Sequence, residues 1–79
     1  MKTVSIEYFA VLREHAGKSG EQRSTDAETA GDLFVELRQD YDFPELSSIK
    51  VALNDEFSSW DAELNEGDSV VFIPPVAGG

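Results

Sequence analysis

One segment of this chain carries a long apolar stripe at helical spacing, and that stripe constrains the rest. Ala30, Leu33, Phe34, Leu37 and Tyr41 fall on one face, with Asp32, Glu36, Arg38, Gln39 and Asp40 away from it. Thr29 followed by Asp32 reads as a capping box: the threonine side chain accepts from an orphan amide, and the helix dipole favours the aspartate in the first turn. Pro44 disfavours helical geometry at Phe43 and ends the element. A lone helix cannot bury such a stripe by itself, so the stripe needs another element to pack against.

The flanking segments supply strands. Val4, Ile6 and Tyr8 alternate with Thr3, Ser5 and Glu7, the period-two pattern of a half-buried strand, which leaves Phe9 on the outward parity. A turn of helix follows around Leu12 to Ala16, then a loop from Gly17 to Gly20, then a weak polar strand from Glu21 to Ser24. After the long helix, Lys50 to Leu53 is β-compatible, Asn54-Asp55 is a turn, and Glu56 to Ser58 can return antiparallel. Glu66-Gly67-Asp68 is a second turn, with Gly67 suited to positive φ. Ser69 to Ile73 forms the last strand, with Val70 and Phe72 inward and Val71 and Ile73 outward. The order predicts an α+β domain: a mixed sheet of about four to five strands on one main helix. Parallel neighbours in it need the helix as their crossover. Phe9, Phe57 and Ile73 then fall where a solvated face would want polar groups, which points to a docking patch; scattered exposed apolar residues are the competing explanation.

The 79 residues allow one domain, expected over 1–73 with an extended tail over 74–79. At about 0.05 to 0.15 kcal/mol per residue, its stability should be on the order of 4 to 12 kcal/mol. There is no cysteine, hence no disulfide, thiolate nucleophile or thiolate metal site, and the core must come from the 41% apolar content. Sixteen acidic and six basic residues give a net charge of −10, which argues against nucleic-acid binding and favours a basic protein partner, or simply solubility. The first residues lack a secretory pattern, and the apolar stretch from Val70 to Ala77, broken by two prolines, is too short to span a bilayer. A cytoplasmic protein is expected.

Catalytic constellations are missing from the sequence. The sole histidine, His15, lies among Arg13, Glu14 and Lys18 beside a glycine loop, as a solvated side chain would. The run Asp40-Tyr41-Asp42-Phe43-Pro44-Glu45 lacks the periodicity of a calcium loop. Ser58 and Ser59 have no histidine nearby and read as a turn, and there is no nucleotide-binding glycine motif. What remains is Val76-Ala77-Gly78-Gly79 behind Pro74-Pro75. Glycines have no side chain to clash with a narrow channel, and the prolines hold the chain extended. Such a tail can reach roughly 20 Å and present a terminal carboxylate to another protein's active site. A frayed end is the competing reading. At a reference pKa of about 3.5 the carboxylate is an anion and a poor electrophile, so it needs activation by another enzyme.

Val51-Ala52-Leu53-Asn54, Leu64, Gly67-Asp68 and the ending Phe72-Ile73-Pro74-Pro75-Val76-Ala77-Gly78-Gly79 resemble the small sulfur-carrier subunit of molybdopterin synthase, as does the opening Tyr8-Phe9-Ala10-Val11-Leu12-Arg13-Glu14. The resemblance spans the whole chain, although the region from Gly17 to Asp26 matches nothing usable. It implies a ubiquitin-like β-grasp fold and a carrier that is not catalytic alone. It further implies that Gly79, preceded by Gly78, is adenylated by an E1-like (MoeB-type) adenylyltransferase using ATP and then becomes a thiocarboxylate. The large subunit of molybdopterin synthase (MoaE-type) would form a hetero-oligomer with the carrier, hold the proton-transfer groups, and pass the sulfur to cyclic pyranopterin monophosphate. By the same resemblance Phe9, Phe57 and Ile73, with Pro74, Pro75 and Val76, contact the partners. No cofactor, metal, nucleic acid or membrane is implied for the chain alone. Another sulfur acceptor, in thiamine or amino-acid synthesis, stays open, as does protein modification through an isopeptide bond at Gly79.

Overall fold

The computed structural model describes residues 1–43 and 49–74. Pro44, Pro75, Val76, Gly78 and Gly79 therefore lie outside the described residues. In chain order the elements are β1 (Lys2–Tyr8), α1 (Val11–Ala16), β2 (Gly20–Thr25), α2 (Ala30–Asp40), β3 (Lys50–Leu53), β4 (Glu56–Ser58) and β5 (Ser69–Ile73). The strands form one five-stranded sheet in the order β2-β1-β5-β3-β4. β1 runs parallel to β5, and the other neighbours are antiparallel. The parallel pair is separated in sequence by α2, as a crossover requires.

Helix α2 starts where the capping signal placed it. The Thr29 side chain accepts from the Asp32 amide at 3.1 Å. Two further first-turn amides are satisfied from outside: Ala30 donates to the Ala62 carbonyl at 3.0 Å and Gly31 to that of Trp60 at 2.9 Å. A Cβ on Gly31 would lie 3.2 Å from the Trp60 carbonyl oxygen, so glycine lets the loop cross this close. At the other end Tyr41 turns extended, with φ −128° and ψ 150°, so the helix ends before Phe43.

Ala30, Leu33, Phe34 and Leu37 of the stripe are buried together with Val4, Ile6 and Tyr8 of β1, Val51 of β3, and Val70 and Phe72 of β5. Tyr41, the last residue of the stripe, packs half-buried against this core. Phe34 stands at its centre, with the Phe72, Trp60 and Phe43 rings at 5.2, 5.4 and 5.8 Å. Weak β2 is a full strand because β1 pairs along its length, a case of tertiary pairing overriding local propensity. Both sequence turns form as read. Asn54 and Asp55 take positive φ of 51° and 73°, as a two-residue hairpin of type I′ requires, and Gly67 has φ 84°. The Asn54 side chain joins them, donating to Asp68 at 3.1 Å and accepting from the Ser69 amide at 3.0 Å. One main helix on a mixed five-stranded sheet is the ubiquitin-like β-grasp, of the α+β class.

Candidate functional site

The strand that leads into the tail occupies the middle of the sheet. β5 is hydrogen-bonded to β1 on one side and β3 on the other, and two of its side chains, Val70 and Phe72, have no exposed surface. A strand paired on both sides is among the parts of a sheet that open last. Pro74 follows at once.

Register shows what surrounds that exit. Directly paired residues share a face, so the outward row runs from Glu7 on β1 through Val71 on β5 and Ala52 on β3 to Phe57 on β4. The next outward row pairs Ile73 with Lys50. Tyr8 is paired with Phe72, so Phe9 and Ile73 leave their parallel strands at the same end of the sheet. Phe57 is 74% exposed and Phe9 37% exposed, while Val71 and Ile73 are half-buried. Beside Phe57 lies a groove of about 440 Å³ lined by Lys50, Val51, Phe57, Ser58 and Ser59. The structure thus collects Phe9, Phe57 and Ile73 on the open side of the sheet, around the root of the tail.

Pro74 departs from the expectation that it offers contact surface. It is buried. Pro75, Val76, Gly78 and Gly79, the other tail residues expected to function, lie outside the described residues. Ala52 and Lys50 belong to the face but were not singled out in the sequence. Their parity relative to Phe57 and Val71 becomes visible only once β3 is known to lie between β4 and β5.

His15 is exposed, with its ring 6.5 Å from that of Phe43. Among the described residues no group of three or more histidines, cysteines or carboxylates could hold a metal ion. Ser59 accepts from the Ala62 amide at 3.1 Å through its backbone carbonyl, inside a turn. Carboxylates are sparse on the open face of the sheet. Among its paired outward residues from β1, β5, β3 and β4, only Glu7 and Lys50 carry charge. Glu28, Asp61, Glu63 and Glu66 instead line a groove of about 470 Å³ beside Met1 and Lys2, at the end where β1 begins. No helix among the described residues is long and apolar enough to cross a membrane.

Known proteins resemble this chain over its full length. The model of the ThiS family matches residues 6–79. The molybdopterin synthase sulfur carrier subunit of Mycobacterium tuberculosis is 33% identical over 88 residues, covering 100% of both chains. The corresponding subunit of Escherichia coli is 30% identical over 80 residues, covering 96% of this chain and 99% of that one. Among solved structures, SAMP1 from Haloferax volcanii superposes with a TM-score of 0.80 at 26% identity, covering 98% of this chain and 99% of that one.

Proposed function

The chain belongs to the ThiS family, and from that membership we propose that it is a sulfur carrier for molybdenum cofactor biosynthesis. In this reading the Gly79 carboxylate is the working group, and Gly78 gives it passage through a narrow channel. An E1-like adenylyltransferase joins the carboxylate to the α-phosphate of ATP, releasing pyrophosphate. A sulfide-level sulfur nucleophile then attacks the acyl carbon and displaces AMP, leaving a thiocarboxylate. The large subunit of molybdopterin synthase receives the loaded tail, and the sulfur passes to cyclic pyranopterin monophosphate. A dithiolene holds two sulfurs, so two loaded carriers serve each product. The chain supplies the handle, and the catalytic groups belong to its partners.

The observation that carries this reading is the full-length likeness to two molybdopterin synthase sulfur carrier subunits. The open apolar face supports it: Phe9, Phe57 and Ile73 surround the exit of the tail, and Pro75 and Val76 would follow them into the partner. Nearly uncharged, that face suits docking by apolar burial, with a polar rim setting orientation.

The test is reconstitution. Thiocarboxylated full chain, mixed with the large subunit and cyclic pyranopterin monophosphate, is expected to form the dithiolene, while thiazole and amino-acid acceptor systems remain unsulfurated. Transfer to one of those acceptors alone would contradict the assignment. The likeness to SAMP1, a small archaeal modifier protein by name, favours one second reading, in which Gly79 forms isopeptide bonds with target lysines. A tagged chain that produces a Gly79-dependent ladder of conjugates in cells would support it.

A further inference from the structure

Between β1 and α1 the backbone takes a path that an L-residue resists. Ala10 has φ 50° and ψ −124°. Glycine reaches this region freely, whereas a Cβ is strained there. The Leu12 amide donates to the Phe9 carbonyl at 3.0 Å, closing a four-residue turn in which Ala10 is the first central residue. Its angles are those of a type II′ turn, about +60° and −120° at that position. No side-chain cap is made at this start of α1, so no hydrogen bond from a cap offsets the strain.

The turn is clamped at both ends. Tyr8 and Leu12 have no exposed surface, and the Tyr8 hydroxyl is tied to Glu21 at 2.6 Å. Between these anchors Phe9 and Val11 are each 37% exposed. A glycine at position 10 would remove the strain but would also open other paths between the anchors, letting the Phe9 ring swing. Alanine between fixed ends leaves far fewer.

We propose that Ala10 is a positioning residue: its strained turn holds the Phe9 ring in one orientation beside the root of the tail, ready for the partner. This rests on the carrier reading, in which Phe9 contacts the large subunit. Ala10 itself touches nothing that reacts and acts through Phe9. A ring fixed before binding loses less freedom on docking, which favours affinity.

The full chain and its Ala10→Val, Ala10→Gly, Phe9→Ala and Ala10→Val/Phe9→Ala variants are to be titrated with the large subunit of molybdopterin synthase. Valine, β-branched, opposes positive φ, and Ala10→Val should weaken binding about tenfold. The double variant should bind no more weakly than Phe9→Ala alone, because the turn acts through that ring. Ala10→Gly should melt higher than the parent yet bind less tightly. Parent-like binding by Ala10→Val overturns the proposal, and so does the same fold-loss repeated on top of Phe9→Ala. Parent-like binding by Phe9→Ala overturns the docking role of Phe9 itself, and the proposal with it. Should Ala10→Val not fold, NMR couplings in the parent chain report the sign of φ at Ala10 directly. A positive value is expected, and a negative one overturns the proposal.

Discussion

At Glu21 two tyrosine hydroxyls converge on one carboxylate oxygen, Tyr8 donating at 2.6 Å and Tyr41 at 2.7 Å. Burial acts to raise the Glu21 pKa, but the hydrogen bonds from Tyr8 and Tyr41, with the charges of Lys18 and Arg23, outweigh it and hold the carboxyl below its usual value. The Tyr8 hydroxyl is pushed up, first by burial and then by its bond to Glu21. A carboxylate held low stabilises the fold fully above its unfolded pKa, about 4.3, and loses that contribution as pH falls through the folded value. Tyr8→Phe should therefore lower stability by about 1.5 to 3 kcal/mol at pH 7, the range for a hydrogen bond to a charged group. In urea titrations across pH, the gap between variant and parent should narrow below about pH 4. A gap constant with pH would show that Glu21 ionisation has no part in it. Alternation alone assigns Tyr8 to the core, but its hydroxyl partner depends on the β1–β2 register, which pairs Ile6 with Glu21. The same holds for Arg23, whose guanidinium reaches Glu36 at 2.6 Å and also Asp40, joining β2 to α2. Residues distant in sequence meet here, and spacing along the chain carries no record of that.

Among the elements, β4 contributes little to the core. Its inward residues are Glu56 and Ser58, paired with Leu53 and Val51, so its one apolar side chain, Phe57, points the other way. A three-residue edge strand that leaves an aromatic ring 74% exposed places that ring on the open face and adds little apolar burial to the core. Phe57→Asp should therefore change unfolding free energy by less than about 1 kcal/mol, as at other surface sites, while weakening binding to the large subunit. Calorimetry of binding beside thermal melts measures both; a large loss of stability with unchanged affinity would make Phe57 a structural residue. Elements with a strong period were legible from sequence: β1 by alternation, α2 by its stripe and cap, and the hairpin by Asn54-Asp55. β2 was legible only weakly, because its inward positions are polar: Arg23 and Thr25 find their partners on α2, and Glu21 finds Tyr8 and Tyr41. The outward parity of Phe9, Phe57 and Ile73 was also readable, but their closeness to one another depended on β5 lying between β1 and β3. Ala10 gave no signal, since nothing in its side chain marks positive φ.

Across the whole molecule the two ends of the sheet differ in character. One carries the tail exit and a nearly uncharged apolar face, and the other carries Glu28, Asp61, Glu63 and Glu66. At physiological salt a charge is screened over about 8 Å, so these carboxylates act only weakly at the end where the tail leaves. The net charge of −10 suits a chain kept dispersed in solution and equally one that meets a basic partner. Central to this view is a carboxyl at Gly79 that another enzyme activates. Its most direct test is the intact mass of the full chain after incubation with an E1-like adenylyltransferase, ATP and a sulfur donor. A gain equal to the exchange of one oxygen for sulfur, located on Gly79 and absent when Gly79 is deleted, is the predicted result. An unchanged mass, or sulfur found on any other residue, would contradict it.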